Sequence, residues 1–307
     1  MHSEQDTFIN NHIMPIQITV DKELQEKLSK EINFYGGPYY KFIDLEGAKA
    51  CLKNSNIQFS TPDTLNDPLE CCVDLLKMRN SEEFKKEFYK NEVKTTRDPF
   101  RKKKLLKNRS NFLKRYDVNE EFNRILLSRI RQIGICSFAR HYTEDTDYLL
   151  WSHYAENHKG ICIEYDFEFD PVYFARNKFK PILVNYKTKL DSYEFDISDD
   201  GIDIIPWSVQ KIKKIWSYED EVRLIHYNLE TNCDGKYRPV INKEFITKII
   251  FGCQCEKSNM NEIVRILQDK EYDLSKIKFE KMQLNSEQKL VPKEISLLPY
   301  ESFHVVR

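Results

Sequence analysis

Short runs rich in β-branched and aromatic residues alternate along this chain with stretches in which apolar residues return every three or four positions. The first pattern reads as strand and the second as helix, because side chains alternate across a strand but share a helix face at i, i+3 and i+4. Tyr39–Ile43 reads as a strand following a break at Gly36-Gly37-Pro38; ahead of the break come a short extended piece around Ile16–Val20 and a helix near residues 21–33. Asp44 is placed to cap a helix reaching about residue 54, and Ile57–Ser60 reads as the next strand. Further strands are expected at Gly134–Ala139, Ile161–Asp166, Ile182–Tyr186, Phe245–Gly252 and Ile277–Leu284. Helices are expected at Asp147–Glu156, near residues 206–215 and at Ser258–Asp269. Strands interrupted by helices without regular alternation indicate an α+β fold.

Between the second and third of these strands the pattern turns helical. Asp67 before Pro68, with Glu70 three residues after the cap, has the form of a helix start. The helical region is expected from about residue 69 to 132, an insertion with breaks near 80 and 98 and before 118. Phe100, Leu105, Leu106, Phe112, Leu113 and Tyr116 recur at helical spacing, which leaves the remaining face to basic residues. Residues 94–115 hold ten Lys or Arg against the single acid Asp98, whereas residues 164–203 hold ten Asp or Glu against five Lys or Arg. Such a basic block is either a solvated helix face or a surface for nucleic acid, an acidic partner or the chain's own acidic half.

Composition narrows the class. The 307 residues have room for one large or two modest domains, and 32% charged with 13% aromatic residues is a globular balance. The pattern divides the chain into a lead-in over 1–38, one α+β domain over 39–284 and a tail over 285–307. No stretch has a signal peptide's layout or membrane-spanning length, so a cytoplasmic protein without membrane contact is expected. Eight cysteines (51, 71, 72, 136, 162, 233, 253 and 255) fit that compartment as reduced thiols. Cys253-Gln-Cys255 lacks a second pair at zinc-site spacing, so no metal is expected.

The segment Trp216-Ser-Tyr-Glu-Asp-Glu-Val-Arg-Leu-Ile225 carries the chemistry. Read as one strand, it places Glu219, Glu221 and Arg223 on one face and Asp220, Val222 and Leu224 on the other. Two carboxylates at successive same-face positions stand roughly 6.5–7 Å apart, a crowding that needs a cation or hydrogen bonds to offset it. Arg223 is the candidate cation. The alternative is a surface Glu–Arg ladder. On the helix upstream, Trp151 and Tyr154 share a face that reads as core, while His153 points elsewhere, either exposed or lining a cleft.

Several segments occur in an order that resembles the bacterial family called domain of unknown function 2971: Phe59-Ser-Thr-Pro, Leu65-Asn-Asp-Pro-Leu-Glu70, Cys136-Ser-Phe138, Leu150-Trp-Ser-His-Tyr-Ala155, His158-Lys-Gly-Ile-Cys-Ile-Glu164, Trp216–Arg223 and Ile249-Ile-Phe-Gly252. The likeness covers roughly residues 39–270, and that family's name carries no function. A more distant resemblance does. Tyr39-Tyr-Lys-Phe42 looks like the opening of ADP-ribosyltransferase folds, with Lys41 standing where those enzymes place Arg or His, Ser137 at the second-strand position, and Glu219-Asp-Glu221 as the closing Glu-x-Glu pair.

That resemblance implies a mixed, split β-sheet and NAD as substrate. Cleavage of the nicotinamide–ribose bond passes through an oxocarbenium-like state, which a carboxylate stabilises. Glu221 is assigned that role and Glu219 the acceptor nucleophile. Lys41 is expected at the diphosphate, with Tyr40 or Tyr154 stacking on nicotinamide and Ser137 and His153 beside the cofactor. By family analogy the enzyme is a toxin or antiphage effector with a neutralising antitoxin, modifying RNA or DNA through the 94–115 block, or a protein. Two other readings stand beside it: a metal-dependent nuclease built on Asp67, Glu70, Glu219 and Glu221, and a non-catalytic nucleotide- or nucleic-acid-binding sensor.

Overall fold

The computed structural model describes residues 36–78, 81–115, 133–143, 147–167, 179–195, 205–226 and 236–296. The fold is α+β, centred on a mixed, largely antiparallel sheet of ten strands among the described residues. The expected lead-in elements, residues 116–132 of the helical region and Cys233 lie outside the described residues. No helix among the described residues is long and apolar enough to cross a membrane, and the described cysteines are free thiols.

Strand β1 (Tyr39–Ile43) leads through the Asp44 cap, whose Oδ1 accepts from the Gly47 amide at 2.6 Å, into helix α1 (Leu45–Asn54). Both elements match the sequence pattern. Strand β2 (Phe59–Ser60) is short, and the expected helix start at Asp67 is a turn instead. There Asp67 Oδ1 accepts from the Leu69 amide at 2.9 Å, so the capping side chain closes one turn and no helix follows. The chain then forms β3 (Leu76–Met78) before α2 (Ser81–Thr95), α3 (Pro99–Lys107) and α4 (Arg109–Arg115). The expected apolar stripe forms in part: Leu105, Phe112 and Leu113 are half-buried and Phe112 packs on Phe88 and Tyr89, but Phe100 and Leu106 are exposed, and Tyr116 lies outside the described residues.

Strand β4 (Gly134–Ala139) is the centre of the architecture. Strand β10 (Glu221–His226) pairs with it along its whole length, Glu221 opposite Ala139 and Arg223 opposite Ser137. The other edge of β4 is shared. Ile135 meets Ser60 of β2, Ala139 meets Tyr40 of β1, and Ser137 lies between these two meeting points. The sheet therefore splits at Ser137, and the Lys41 ammonium reaches into the split to donate to the Ser137 carbonyl at 2.8 Å. Strand β5 (Ile161–Tyr165) continues from β1, and β6 (Phe179–Leu183) flanks β10. The small strands β7 (Asn185–Lys187) and β8 (Tyr193–Phe195) lie off the main sheet, pairing β9 (Gln210–Ile212) and β3 respectively. Strand β11 (Lys236–Tyr237) extends β2; β12 (Ile246–Phe251), β13 (Lys278–Leu284) and β14 (Leu290–Glu294) complete the far side. Strand β14 falls in the stretch expected to be a tail, so the sheet extends past residue 284.

One face of the sheet buries Tyr39, Phe138, Val222 and Leu224 against α1 and α8 (Lys257–Asp269). The opposite face buries Tyr40, Phe42 and Ala139 against Leu150 and Trp151 of α5 (Asp147–Tyr154). After α5 the chain turns through Glu156, Asn157 and His158, all with positive φ. This turn packs backbone on backbone: a Cβ at Gly252 would stand 2.1 Å from the His158 carbonyl oxygen. G252A is expected to lower the unfolding free energy by about 3 kcal/mol, the cost of overpacking a rigid site, measured as a fall in the denaturant midpoint.

His158 itself is buried, with Nε2 at 3.0 Å from Ser152 Oγ and Nδ1 without a hydrogen-bond partner among the described residues. Burial lowers its pKa below the usual histidine value. The folded state then resists the proton that the unfolded chain accepts, so stability is complete above about pH 6.5 and falls as pH drops below it. Denaturant titrations at about pH 7.5 and about pH 5.5 should show this loss in the wild type and a smaller one in H158N, whose side chain tolerates positive φ.

Candidate functional site

The Glu-Asp-Glu segment is not one strand. Ser217–Glu219 forms a 3-10 turn, Asp220 has φ 38°, and the strand begins at Glu221. Two carboxylates that alternation alone would set on one strand face come instead from two different elements. They converge on a cation that the sequence pattern did not single out. Lys211 Nζ lies 2.6 Å from Glu219 Oε2 and 2.9 Å from Glu221 Oε2.

Lys211 stands in the middle of the expected helix near 206–215. That stretch is broken into α6 (Ile205–Ser208), β9 and α7 (Lys213–Trp216), because Gln210–Ile212 pair in parallel with Asn185–Lys187 of β7. The pairing sets Lys211 opposite Tyr186, whose hydroxyl accepts from the Glu221 amide at 2.9 Å. Tertiary pairing thus overrides local helical preference, and it aims the lysine inward.

Arg223 completes the cluster. Its Nε donates to Glu221 Oε1 at 2.8 Å, its Nη1 to the Ser208 carbonyl at 2.6 Å, and its Nη2 contacts Glu70. Lys211 is also 3.6 Å from Glu70. Three carboxylates and two cations therefore interlock, and none of the five side chains is more than 6% exposed. The surface-ladder alternative does not describe this geometry. Burial raises the Glu221 pKa, while the Lys211 charge and a Ser137 hydrogen bond pull the other way. Burial lowers Lys211, but Glu221 and Glu219 outweigh it and hold the ammonium above its usual range. Burial brings Arg223 down to about 9, which leaves it charged at neutral pH.

Around this cluster lies a cavity of about 780 Å³ that runs through the split, from Gly47 and Cys51 of α1 to Tyr154 and Glu219. A volume of that size is in the range of cofactor sites. Tyr40, Lys41, Ser137, Tyr154, Glu219 and Glu221 all line it, so six of the seven residues proposed from sequence meet there. Tyr154 donates to Glu219 Oε1 at 2.5 Å and accepts from Asn66 at 3.1 Å. Tyr40 packs on Tyr142 at 4.8 Å between ring centres.

His153 is the exception. It is exposed, its Nδ1 lies 3.2 Å from the Tyr218 hydroxyl, and it is not among the residues lining the cavity. Its helical position turns it away from the face that carries Tyr154 toward Glu219. Among residues that sequence reasoning gave no place in the NAD site, Lys211, Glu70, Lys236 and Arg238 line the same cavity. Glu70, Glu219 and Glu221 do meet, as the nuclease reading required, but they meet on Lys211 and Arg223. Among the described residues, no group of three or more His, Cys, Asp or Glu is arranged to hold a metal ion.

Compared with models of protein families, with curated proteins and with solved structures, the chain matches none. Removing Lys211 leaves two buried carboxylates facing each other, so K211M is expected to cost about 3–5 kcal/mol of stability. The double variant K211M/E219Q should recover part of that loss, as a double-mutant cycle by denaturant titration would measure.

Proposed function

We propose that the chain is an NAD-dependent ADP-ribosyltransferase that modifies a macromolecule in the cytoplasm. The observation that carries this reading is the split in the sheet at Ser137. It gathers Lys41, Ser137 and the two glutamates around one cavity, which supports the roles that the resemblance to ADP-ribosyltransferase folds implies for them. Cations at Lys41, Lys236 and Arg238 line the same cavity as the carboxylates, which suits a ligand with an anionic diphosphate and a ribose that becomes positively charged.

In this reading the ribose C1′ is held beside Glu221. The C1′–nitrogen bond breaks, its electron pair leaves with neutral nicotinamide, and positive charge spreads over C1′ and the ring oxygen. Glu221 stabilises that charge from a position fixed by Arg223 and Ser137. The acceptor nucleophile forms the new bond to C1′ and gives its proton to Glu219. Lys211 orients both carboxylates through its contacts with Glu219 and Glu221. Support for a nucleic-acid acceptor comes from the exposed basic residues of α3 and α4. The effector role, as a toxin or antiphage protein countered by an antitoxin, rests on family-level analogy.

E221Q preserves the volume of the buried side chain and is expected to slow nicotinamide release from NAD by about a thousandfold. E219Q is expected to reduce transfer to an acceptor by about a hundredfold and to leave NAD hydrolysis largely intact. Mass spectrometry of NAD incubated with protein, alone and with cell RNA, DNA and lysate, reads both. Folded wild-type protein that neither binds nor consumes NAD would overturn the reading.

A further inference from the structure

Helix α3 carries no buried residue. Asp98 caps it by accepting from the Phe100 amide at 2.9 Å, and Pro99 starts the first turn, so the backbone carrying Phe100 is fixed. The Phe100 side chain is nevertheless 85% exposed. Lys103, Lys104 and Lys107 follow at i+3, i+4 and i+7, which puts them on the same helix face, and all three are exposed. The result is an aromatic ring at the head of a lysine stripe about 10 Å long. Nearby, Lys85, Arg109 and Lys114 border a shallow cavity of about 600 Å³ together with Glu82, which continues the basic surface onto α2 and α4.

This surface sets an exposed aromatic ring beside three exposed lysines. It suits a ligand that offers flat apolar faces and regularly spaced negative charge together. We propose that this stripe binds single-stranded nucleic acid, with Phe100 stacking on a base and Lys103, Lys104 and Lys107 holding phosphates. Single strands expose the base faces that a duplex keeps stacked inside, and base–aromatic stacking with a cationic track is how proteins bind them without sequence preference. An anionic membrane fits less well. The other exposed large apolar residue of α3, Leu106 at 56%, is six positions from Phe100 and lies on a different side of the helix, so α3 presents no continuous apolar face to insert. The proposal deepens the transferase reading by naming the class of acceptor, but the binding itself does not require that reading.

Fluorescence anisotropy with labelled oligonucleotides of about 20 nucleotides, longer than one binding site, tests it on the full chain. Both DNA and RNA single strands, the matching duplex, and vesicles of anionic lipid are compared. Single strands should bind more tightly than the duplex. F100A should weaken the single strand about tenfold and leave the duplex little changed. Replacing Lys103, Lys104 and Lys107 together by Ala should reduce the slope of log affinity against log salt by about 2. These side chains are exposed on a helix without buried residues, so the variants should fold, which circular dichroism confirms. Absence of binding to single strands, equal binding by F100A, or binding to vesicles alone would each overturn the proposal. E221Q separates the two readings: it should bind the strand like the wild type. A wild type that binds the strand but leaves NAD intact removes the transferase and keeps this surface.

Discussion

The buried ion cluster of Glu70, Glu219, Glu221, Lys211 and Arg223 is the constraint on which the middle of the structure depends. Charges taken out of water must be paired closely or they destabilise the fold by several kcal/mol each. This requirement explains why four separate pieces of chain meet where they do. The 65–71 turn delivers Glu70, the small strand β9 delivers Lys211, the 3-10 turn delivers Glu219, and β10 delivers Glu221 and Arg223. Each piece is short, and none would hold its shape by local preference. Pairing in the interior ties them together.

The split sheet gives the cluster an outlet. Ion pairs sealed inside a core serve the fold alone, but these border a cavity through the gap between β1 and β2. Lys41 fills part of that gap with its ammonium on the Ser137 carbonyl and so ties β1 to β4 where the sheet divides. Ser137 works on both sides of its own backbone: the carbonyl accepts from Lys41, and the side chain donates to Glu221. Structure and chemistry share the same few atoms here.

The main strands were legible in the sequence because their alternation reflects burial, and burial decides the sheet. β1, β4 and α1 emerged with nearly the right limits. The convergence of Glu219 with Glu221 was legible as well, though for an incomplete reason. A period-two reading cannot see a left-handed residue at Asp220, which breaks the strand and turns Glu219 inward. Lys211 was hidden because its inward aim comes from pairing with β7, a contact distant in sequence from the glutamates it binds. Asp67 and Glu70 misled in the opposite direction. The cap signature is real as local hydrogen bonding, yet the chain turns away after one turn and gives Glu70 to the interior. His153 shows the limit of motif reading: adjacency to Tyr154 in sequence becomes separation on a helix.

The left-handed Asp220 has a consequence for how the two glutamates are held. Arg140 at 2.5 Å and His141 at 3.1 Å hold its carboxylate, so the break between the two glutamates is pinned from β4's outgoing chain. On one side of that pin, Glu221 belongs to a strand hydrogen-bonded on both edges, which opens only when the domain unfolds. On the other side, Glu219 belongs to a three-residue turn tethered to α5 through Tyr154. The two carboxylates are held by different means, one by strand pairing and the other by the side chains of Tyr154 and Lys211.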